Sequence, residues 1–356
     1  MQPRWAKRAA AILVVALAVS VAAGAGEAYP RKYWRAYATP ERAGWSSEKL
    51  DQAKRLASTY DTEAVMIVHR GRVVYQWGDT KRPFMCHSMR KSILSALYGI
   101  YAENETIDID KTLEQLGIDD KAPSLTEEEK KATVRDLLKA RSGIYHAALY
   151  ETNSMTANKP PRGSHAPNTF WHYNNWDFNA LASIFDNEVK ASLFEKFEQD
   201  IAEPIGMQDF ERTKHTDYYT GHQSVHPAYP FQLSARDLAR FGLLMARNGK
   251  WKRGQVIPEE WVAESTASYS DAGRSGGYGY MWWVAVGGRH LEPAKLPDGA
   301  YTARGAGGHY ILVVPQWDLV VVHRVNTFLD RSVNARQFGE ILAKILEAAP
   351  QELSIQ

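Results

Sequence analysis

The stretch Ser88-Met89-Arg90-Lys91 is followed by Ser92-Ile93-Leu94-Ser95-Ala96-Leu97-Tyr98-Gly99-Ile100-Tyr101, in which Ile93, Leu94, Leu97 and Tyr101 recur at helical spacing. Ser88 therefore falls at or near a helix start, and Lys91 lies almost one turn further on the same face. A serine hydroxyl becomes a strong nucleophile when a base takes its proton, and a neutral lysine amine one turn away has the reach to do so. The N-terminal end of the helix adds backbone N–H groups and a positive dipole end, both suited to an oxyanion. The pattern points to acylation of Ser88. The plain alternative is an N-cap serine followed by a solvated lysine.

Two other segments carry groups such a site needs. Pro167-Asn168-Thr169-Phe170-Trp171-His172-Tyr173-Asn174-Asn175 places a phenol and an amide two residues apart, on an irregular stretch before a helix. A phenol held beside a lysine can trade protons with a serine or a leaving group, whereas an aromatic loop simply packing on the core would explain the same residues. Arg304-Gly305-Ala306-Gly307-Gly308-His309 lies between two strand-like runs. Glycines there let a ligand approach a strand edge and leave backbone N–H groups free; a tight turn is the simpler account.

Other candidates have weaker context. Gly273-Arg274-Ser275-Gly276-Gly277 fits G-x-S-x-G, but a nucleophile elbow needs a strand before the serine and a helix after it, and here a glycine-rich loop leads into a strand. Cys86 is the chain's single cysteine, so no intrachain disulfide can form, and its neighbour His87 is badly placed to activate it. His215, His222 and His226 share a polar loop at spacings that fit no standard metal site. No metal or organic cofactor is implied.

The elements that must position these groups follow from periodicity. Ser46 or Ser47 caps an amphipathic helix carrying Leu50, Ala53, Leu56 and Ala57. Runs 64–69 and 72–77, split by Arg70-Gly71, read as a β-hairpin. Between about 103 and 224 the chain is helical and loop-rich, with helices expected around Leu113–Ile118, Thr133–Ala140, Asp177–Phe185 and Ala191–Ile201. Ser234 opens a strong amphipathic helix. Strands are expected at 278–284, 300–304, 309–314 and 319–325, and a final helix at 334–348. This order predicts an α+β fold: an antiparallel sheet built from both ends of the chain and flanked by helices, with a helical lobe inserted between them.

Composition bounds the function classes. At 356 residues and 44% hydrophobic, the chain can bury a large core. Its net charge of +2 includes Arg4, Lys7 and Arg8, and no basic block or basic-aromatic stripe suggests nucleic acid. Those three cations, the apolar stretch Ala9–Ala23 and the small residues Ala23-Gly24-Ala25 and Gly26-Glu27-Ala28 read as a signal peptide over 1–25. The mature chain, 26–356, is then periplasmic or secreted, with no further segment long and apolar enough to span a bilayer. An uncleaved anchor helix is the alternative.

In order and type these motifs resemble the serine hydrolases of the β-lactamase and penicillin-recognising superfamily, nearest the class C-like esterases and 6-aminohexanoate-oligomer amidases. Ser88-x-x-Lys91 and Tyr173-x-Asn175 match its first two motifs. The stretch Thr133–Leu138 with Arg141-Ser142-Gly143, the helix Leu233–Gly242, and Tyr278-Gly279-Tyr280-Met281-Trp282-Trp283 are similar to segments around them. The resemblance implies a β-lactamase/transpeptidase-like fold whose α/β part covers about 45–102 and 225–350, with the helical insertion at about 103–224. It implies that Ser88 is acylated, that Lys91 takes its proton or holds Tyr173 ionised to do so, and that Tyr173 protonates the leaving group and activates water. Asn175 orients Lys91, the N–H groups of Ser88 and Ala306 (or Gly308) form the oxyanion hole, and Gly305 and Gly307 line the substrate edge.

The third motif departs from the pattern. Where the superfamily carries Lys-Thr-Gly or His-Thr-Gly, this chain has Ala303-Arg304-Gly305-Ala306-Gly307-Gly308, with no lysine in either possible register. That favours a small ester, amide or peptide substrate over β-lactams and D-Ala-D-Ala peptides. A β-lactamase or carboxypeptidase using Arg304, and a non-catalytic penicillin-binding or sensor module, are the alternatives. The aromatics Tyr145, Tyr150, Trp171, Trp176 and Trp282 suggest an apolar acyl pocket, or core. Oligomeric state is left open.

Overall fold

A computed structural model describes residues 28–353, so the signal-peptide reading over 1–25 lies outside the described residues. Its centre is an antiparallel sheet of eight strands: β1 (Thr62–His69), β2 (Arg72–Gly78), β3 (Ser270–Asp271), β4 (Gly277–Tyr278), β5 (Trp283–Val284), β6 (Tyr301–Gly305), β7 (His309–Val314) and β8 (Leu319–Val325). The spatial order is β2-β1-β8-β7-β6-β5-β4-β3, so the N-terminal hairpin docks on the last strand of the chain. Strands from the two chain ends thus meet in one sheet, and the continuous apolar runs of β1, β7 and β8 lie at its centre, buried on both faces.

Register explains why both faces are apolar. Val65 and Ile67 of β1 pair with His323 and Val321 of β8 and point into one core cluster, while Met66 and Val68 point into the other. Helices α1 (Ser47–Ala57) and α5 (Ala335–Glu347) cover the first face. Ser46 caps α1 by accepting from Lys49 N, and Asn334 closes a capping box at α5. Helices α2 (Met89–Glu103) and α4 (Ala235–Ala246) lie on the second face. Helix α2 is buried around most of its circumference, since the inserted lobe, with α3 (Asn175–Val189), packs on its far side. This is the α+β, β-lactamase/transpeptidase-like architecture expected from the sequence.

Two local expectations are corrected. The stretch Leu113–Ile118 is a set of turns rather than a helix, because Gly117 takes φ 64° and Ile118 N folds back to Leu113 O at 2.9 Å. The run 278–284 is a hairpin, β4 and β5, rather than one strand: Gly279 N donates to Trp282 O at 2.8 Å and Met281 is left-handed at φ 61°. The second change matters to the site, because it turns Trp282 into the core and leaves Trp283 beside Tyr173.

Candidate active site

Ser88 sits at the N-cap position of α2, but its hydroxyl caps nothing. Instead Lys91 Nζ lies 3.1 Å from Ser88 Oγ, 2.6 Å from the Tyr173 hydroxyl and 2.7 Å from Asn175 Oδ1. Lys91 is only 1% exposed, which removes the reading of a solvated lysine. Asn174 caps α3 by accepting from Asp177 N, placing Asn175 at the helix's first residue, against Lys91. The Asn175 amide is oriented by its other end: Nδ2 donates to the carbonyls of Leu149 (3.2 Å) and Tyr150 (2.5 Å), so Oδ1 must face the lysine.

The electrostatics favour a neutral amine. Burial holds the Lys91 ammonium well below its ordinary value, and the neighbouring Arg90 charge adds to the effect. No carboxylate forms an ion pair with Lys91 among the described residues; its ammonium lies over the Tyr173 and Phe178 rings instead, at 4.2 and 4.4 Å. Tyr173 is pushed the other way, up to about 12, chiefly by burial, with the Ser88 hydroxyl and Arg90 opposing. Of the two readings of the base, a neutral lysine is thus favoured over an ionised tyrosine. A neutral amine has two N–H donors and one lone pair, and Asn175 Oδ1 can only accept. One hydroxyl, from Ser88 or Tyr173, can therefore donate to Nζ.

The glycine-rich stretch meets Ser88 from the other side. A Cβ on Gly305 would stand 2.4 Å from Cys86 O and 3.3 Å from His87 Cβ, so only glycine lets the end of β6 come this close to the turn carrying Ser88. Gly308 N is directed to Gly305 O at 3.3 Å, inside the turn, while Ala306 is exposed at its tip. Of the two candidate oxyanion donors, Ala306 is the one whose N–H is not drawn into that turn. Gly307 has φ 83° and faces Thr327 rather than the cleft.

The rival candidates separate from this cluster. Ser275 lies in a turn between β3 and β4, a hairpin and not a strand-to-helix elbow, and its Oγ accepts from Arg304 Nη1 at 3.0 Å. Cys86 is buried, and burial pushes its thiol up, away from the reactive thiolate. His215 Nδ1 accepts from Glu211 N at 2.9 Å, whereas His226 is buried with Nδ1 2.9 Å from Ser183 Oγ. Among the proposed acyl-pocket aromatics, Trp176 and Trp282 are core, while Trp171 packs on Trp283 beside Tyr173 and Tyr150 stands 37% exposed against Tyr219.

The sequence profile of the β-lactamase family matches residues 54–343. The chain belongs to the β-lactamase family. Solved structures agree in fold. A Bacillus anthracis protein assigned as a 6-aminohexanoate-dimer hydrolase superimposes with a TM-score of 0.61 at 22% identity, covering 84% of this chain and 83% of that one. A class C β-lactamase gives 0.62 at 15% identity, covering 85% and 95%. EstCE1, a hydrolase with promiscuous acyltransferase activity, gives 0.61 at 14%, covering 85% and 97%. The chain also spans 42% of the length of a curated, uncharacterised relative from Alkalihalophilus pseudofirmus, at 26% identity over 140 residues, or 36% of this chain.

Within this β-lactamase-family framework, sequence reasoning missed the part played by Arg90. It is buried at 2% exposure, its guanidinium lies 4.8 Å from the Tyr229 ring and 5.6 Å from the Tyr150 ring, and Nη1 donates to His87 O at 3.0 Å. The available signal was an arginine beside Lys91 at the start of a helix that is otherwise apolar or small through Gly99. Arg304 also finds its place. It reaches across Trp283 (4.9 Å to the ring) to Ser275, Thr302 and His290, and among the described residues it has no carboxylate partner.

Proposed function

We propose that the protein is a serine hydrolase that cleaves an ester or amide through an acyl-enzyme on Ser88. One observation carries this reading: a buried lysine amine with no acidic partner among the described residues, shared between the Ser88 hydroxyl, the Tyr173 hydroxyl and the Asn175 amide. Neutral Lys91 takes the Ser88 proton as Oγ bonds to the substrate carbonyl carbon. The carbonyl electron pair becomes an oxyanion facing the N–H groups of Ser88 and Ala306. As the tetrahedral adduct collapses, the proton passes from Lys91 through the Tyr173 hydroxyl to the departing alkoxide or amine. Water then attacks the acyl group, giving its proton to the same pair, and the acid leaves with Ser88 restored.

The deciding experiment is intact-mass analysis of purified protein after fluorophosphonate treatment, beside Ser88→Ala. A single adduct on the wild type that vanishes in the variant supports the reading. An adduct that persists moves the nucleophile elsewhere, and no adduct on either protein favours a non-catalytic binding module. Export is part of the same proposal and is checked by the N-terminal mass of protein recovered from the periplasm or medium.

A second reading has its own support. Arg304, Arg274, Arg336, Ser275 and His290 line a cavity of about 410 Å³ near Trp283. Glu292 also lines this cavity, but the three guanidinium groups outnumber that carboxylate, which suits a substrate carboxylate such as a β-lactam or a peptide C-terminus would offer. Nitrocefin turnover, or stable labelling by a fluorescent penicillin, selects this reading over a neutral ester or amide.

A further inference from the structure

His87, immediately before the nucleophile, is held in the left-handed region at φ 47°, a conformation a side-chain-bearing residue rarely adopts unless its surroundings impose it. Three contacts impose it. Arg90 Nη1 donates to the His87 carbonyl at 3.0 Å, the end of β6 lies against its Cβ, and its ring Nε2 hydrogen-bonds Thr327 Oγ1 at 2.8 Å. Burial, with Arg324 and Arg90 nearby, lowers the His87 ring to about 4, so it is neutral near pH 7.

Thr327 follows β8, separated from His87 by 240 positions in the chain. Its hydroxyl reaches the nucleophile turn, and its methyl lies against the backbone of the opposite loop: a Cβ on Gly307 would stand 2.4 Å from Thr327 Cγ2. That loop, which carries Ala306, is fixed by two more contacts. Val333 N donates to Gly307 O at 3.0 Å, and His323 Nδ1 donates to Gly308 O at 2.6 Å while its Nε2 accepts from Thr62 Oγ1 at 2.9 Å. The Thr327 side chain thus touches both walls of the oxyanion site.

Resting on the acyl-enzyme reading above, we infer that Thr327 is a positioning residue that sets the gap between the Ser88 and Ala306 N–H groups, through its hydrogen bond to His87 and its methyl contact with Gly307. It touches no substrate. Donors in such a site act only when held at the position the oxyanion will occupy, and misplacement of about 1 Å can lower the rate about 100-fold. Losing the His87 tether releases the left-handed residue and lets the Ser88 N–H swing. Losing the methyl removes the spacer against Gly307.

The test compares wild type, Ser88→Ala, Thr327→Val (shape kept, oxygen removed) and Thr327→Ser (oxygen kept). Fluorophosphonate labelling rates, Tm, and kcat and KM on p-nitrophenyl acetate are measured for each. For Thr327→Val the labelling rate and kcat fall about 10- to 100-fold with KM within about twofold. Thr327→Ser, which keeps the hydrogen bond but not the methyl, recovers part of that loss, and Tm changes little in either. Thr327→Val labelling at the wild-type rate overturns the inference and leaves the Ser88 reading intact. So does a loss in both variants that merely follows a fall in Tm. Wild type that fails to label, or labels without Ser88, removes both.

Discussion

Replacing Lys91 with methionine separates stability from activity, and the structure fixes the sign of each. Methionine is unbranched and close in volume, so it fills the site without a cavity. The wild-type lysine is 1% exposed and has no acidic partner, and its folded-state pKa is lowered by burial and by Arg90. A group with a lowered folded pKa binds fewer protons in the folded state, so wild-type stability rises with pH across the window below the free lysine value of about 10.4. Each pH unit in that window corresponds to about 1.4 kcal/mol, which bounds the cost of a neutral lysine at about 4–5 kcal/mol at pH 7 and about 1 kcal/mol at pH 9.5.

Methionine removes that cost and forfeits three hydrogen bonds. The Ser88 and Tyr173 hydroxyls are partly exposed and can turn to water, whereas Asn175 Oδ1 is left buried without a donor, at about 1–3 kcal/mol. The net expectation is a gain of about 1–3 kcal/mol at pH 7, or about 2–4 °C in Tm for a chain of this length. The gain shrinks to nothing or reverses by pH 9.5. Acylation by a fluorophosphonate falls about 10²- to 10⁴-fold at both values. Thermal melts followed by circular dichroism at the two pH values, with labelling rates alongside, decide the matter. A Lys91→Met protein that is less stable than wild type by the same amount at pH 7 and 9.5 would refute the reasoning: the lysine would then be a compensated ammonium and not the base.

Four further outcomes are expected. Arg90→Met removes a charge that holds Lys91 down, so the acid limb of the kcat/KM–pH profile moves to higher pH. Tyr173→Phe removes the proton relay; with a p-nitrophenyl ester, whose leaving group needs little protonation, deacylation slows about 10²- to 10³-fold and the acyl adduct accumulates in the mass spectrum. Asp177, buried beside Ser142, is raised to about 8, so the stability it contributes is fully present below the unfolded value of about 4 and is lost as pH rises through 8. The Tm of Asp177→Asn should therefore fall less than that of wild type between pH 5 and 9. Gly305→Ala puts a Cβ 2.4 Å from Cys86 O, which should destabilise by about 1–3 kcal/mol and lower kcat by moving the Ser88 turn, with far-ultraviolet circular dichroism unchanged.

What the sequence disclosed follows the range of the interactions involved. Ser88 and Lys91 are three residues apart on one helix, so periodicity alone set them on one face. The long strands were legible because β7 and β8 are β-branched runs bounded by glycine, proline or aspartate, with both faces buried. Tyr173 and Asn175 could be joined to Lys91 only through family resemblance, since they lie 82 and 84 positions further along the chain and no local pattern encodes that distance. The His87–Thr327 contact had no sequence signal at all. The hairpin at 278–284 was read as a single strand because its aromatic residues mask a turn made by Gly279 and a left-handed Met281.

The site gathers cations that are buried or half-buried. Arg90, Lys91, Arg304 and Arg324 take part in none of the ion pairs formed by the described residues. Arg324 instead donates to the carbonyls of Phe84 and Met85, and Arg90 to that of His87. Guanidinium groups thus bind backbone oxygens along the segment that leads to Ser88, fixing its path without cancelling their charge. A carboxylate in the same places would stabilise the fold more, since an uncompensated buried charge is expensive. It would also raise the Lys91 pKa and weaken the positive potential where an oxyanion develops. Carbonyl partners take up part of the donors, with Arg90 Nε and Nη2 and Arg324 Nε and Nη1 left without a hydrogen bond among the described residues, and they leave the field in place, so the arrangement gives up folding stability for a cationic environment around Lys91. The two-faced sheet, with apolar clusters on both sides, is the part of the fold large enough to offset that loss.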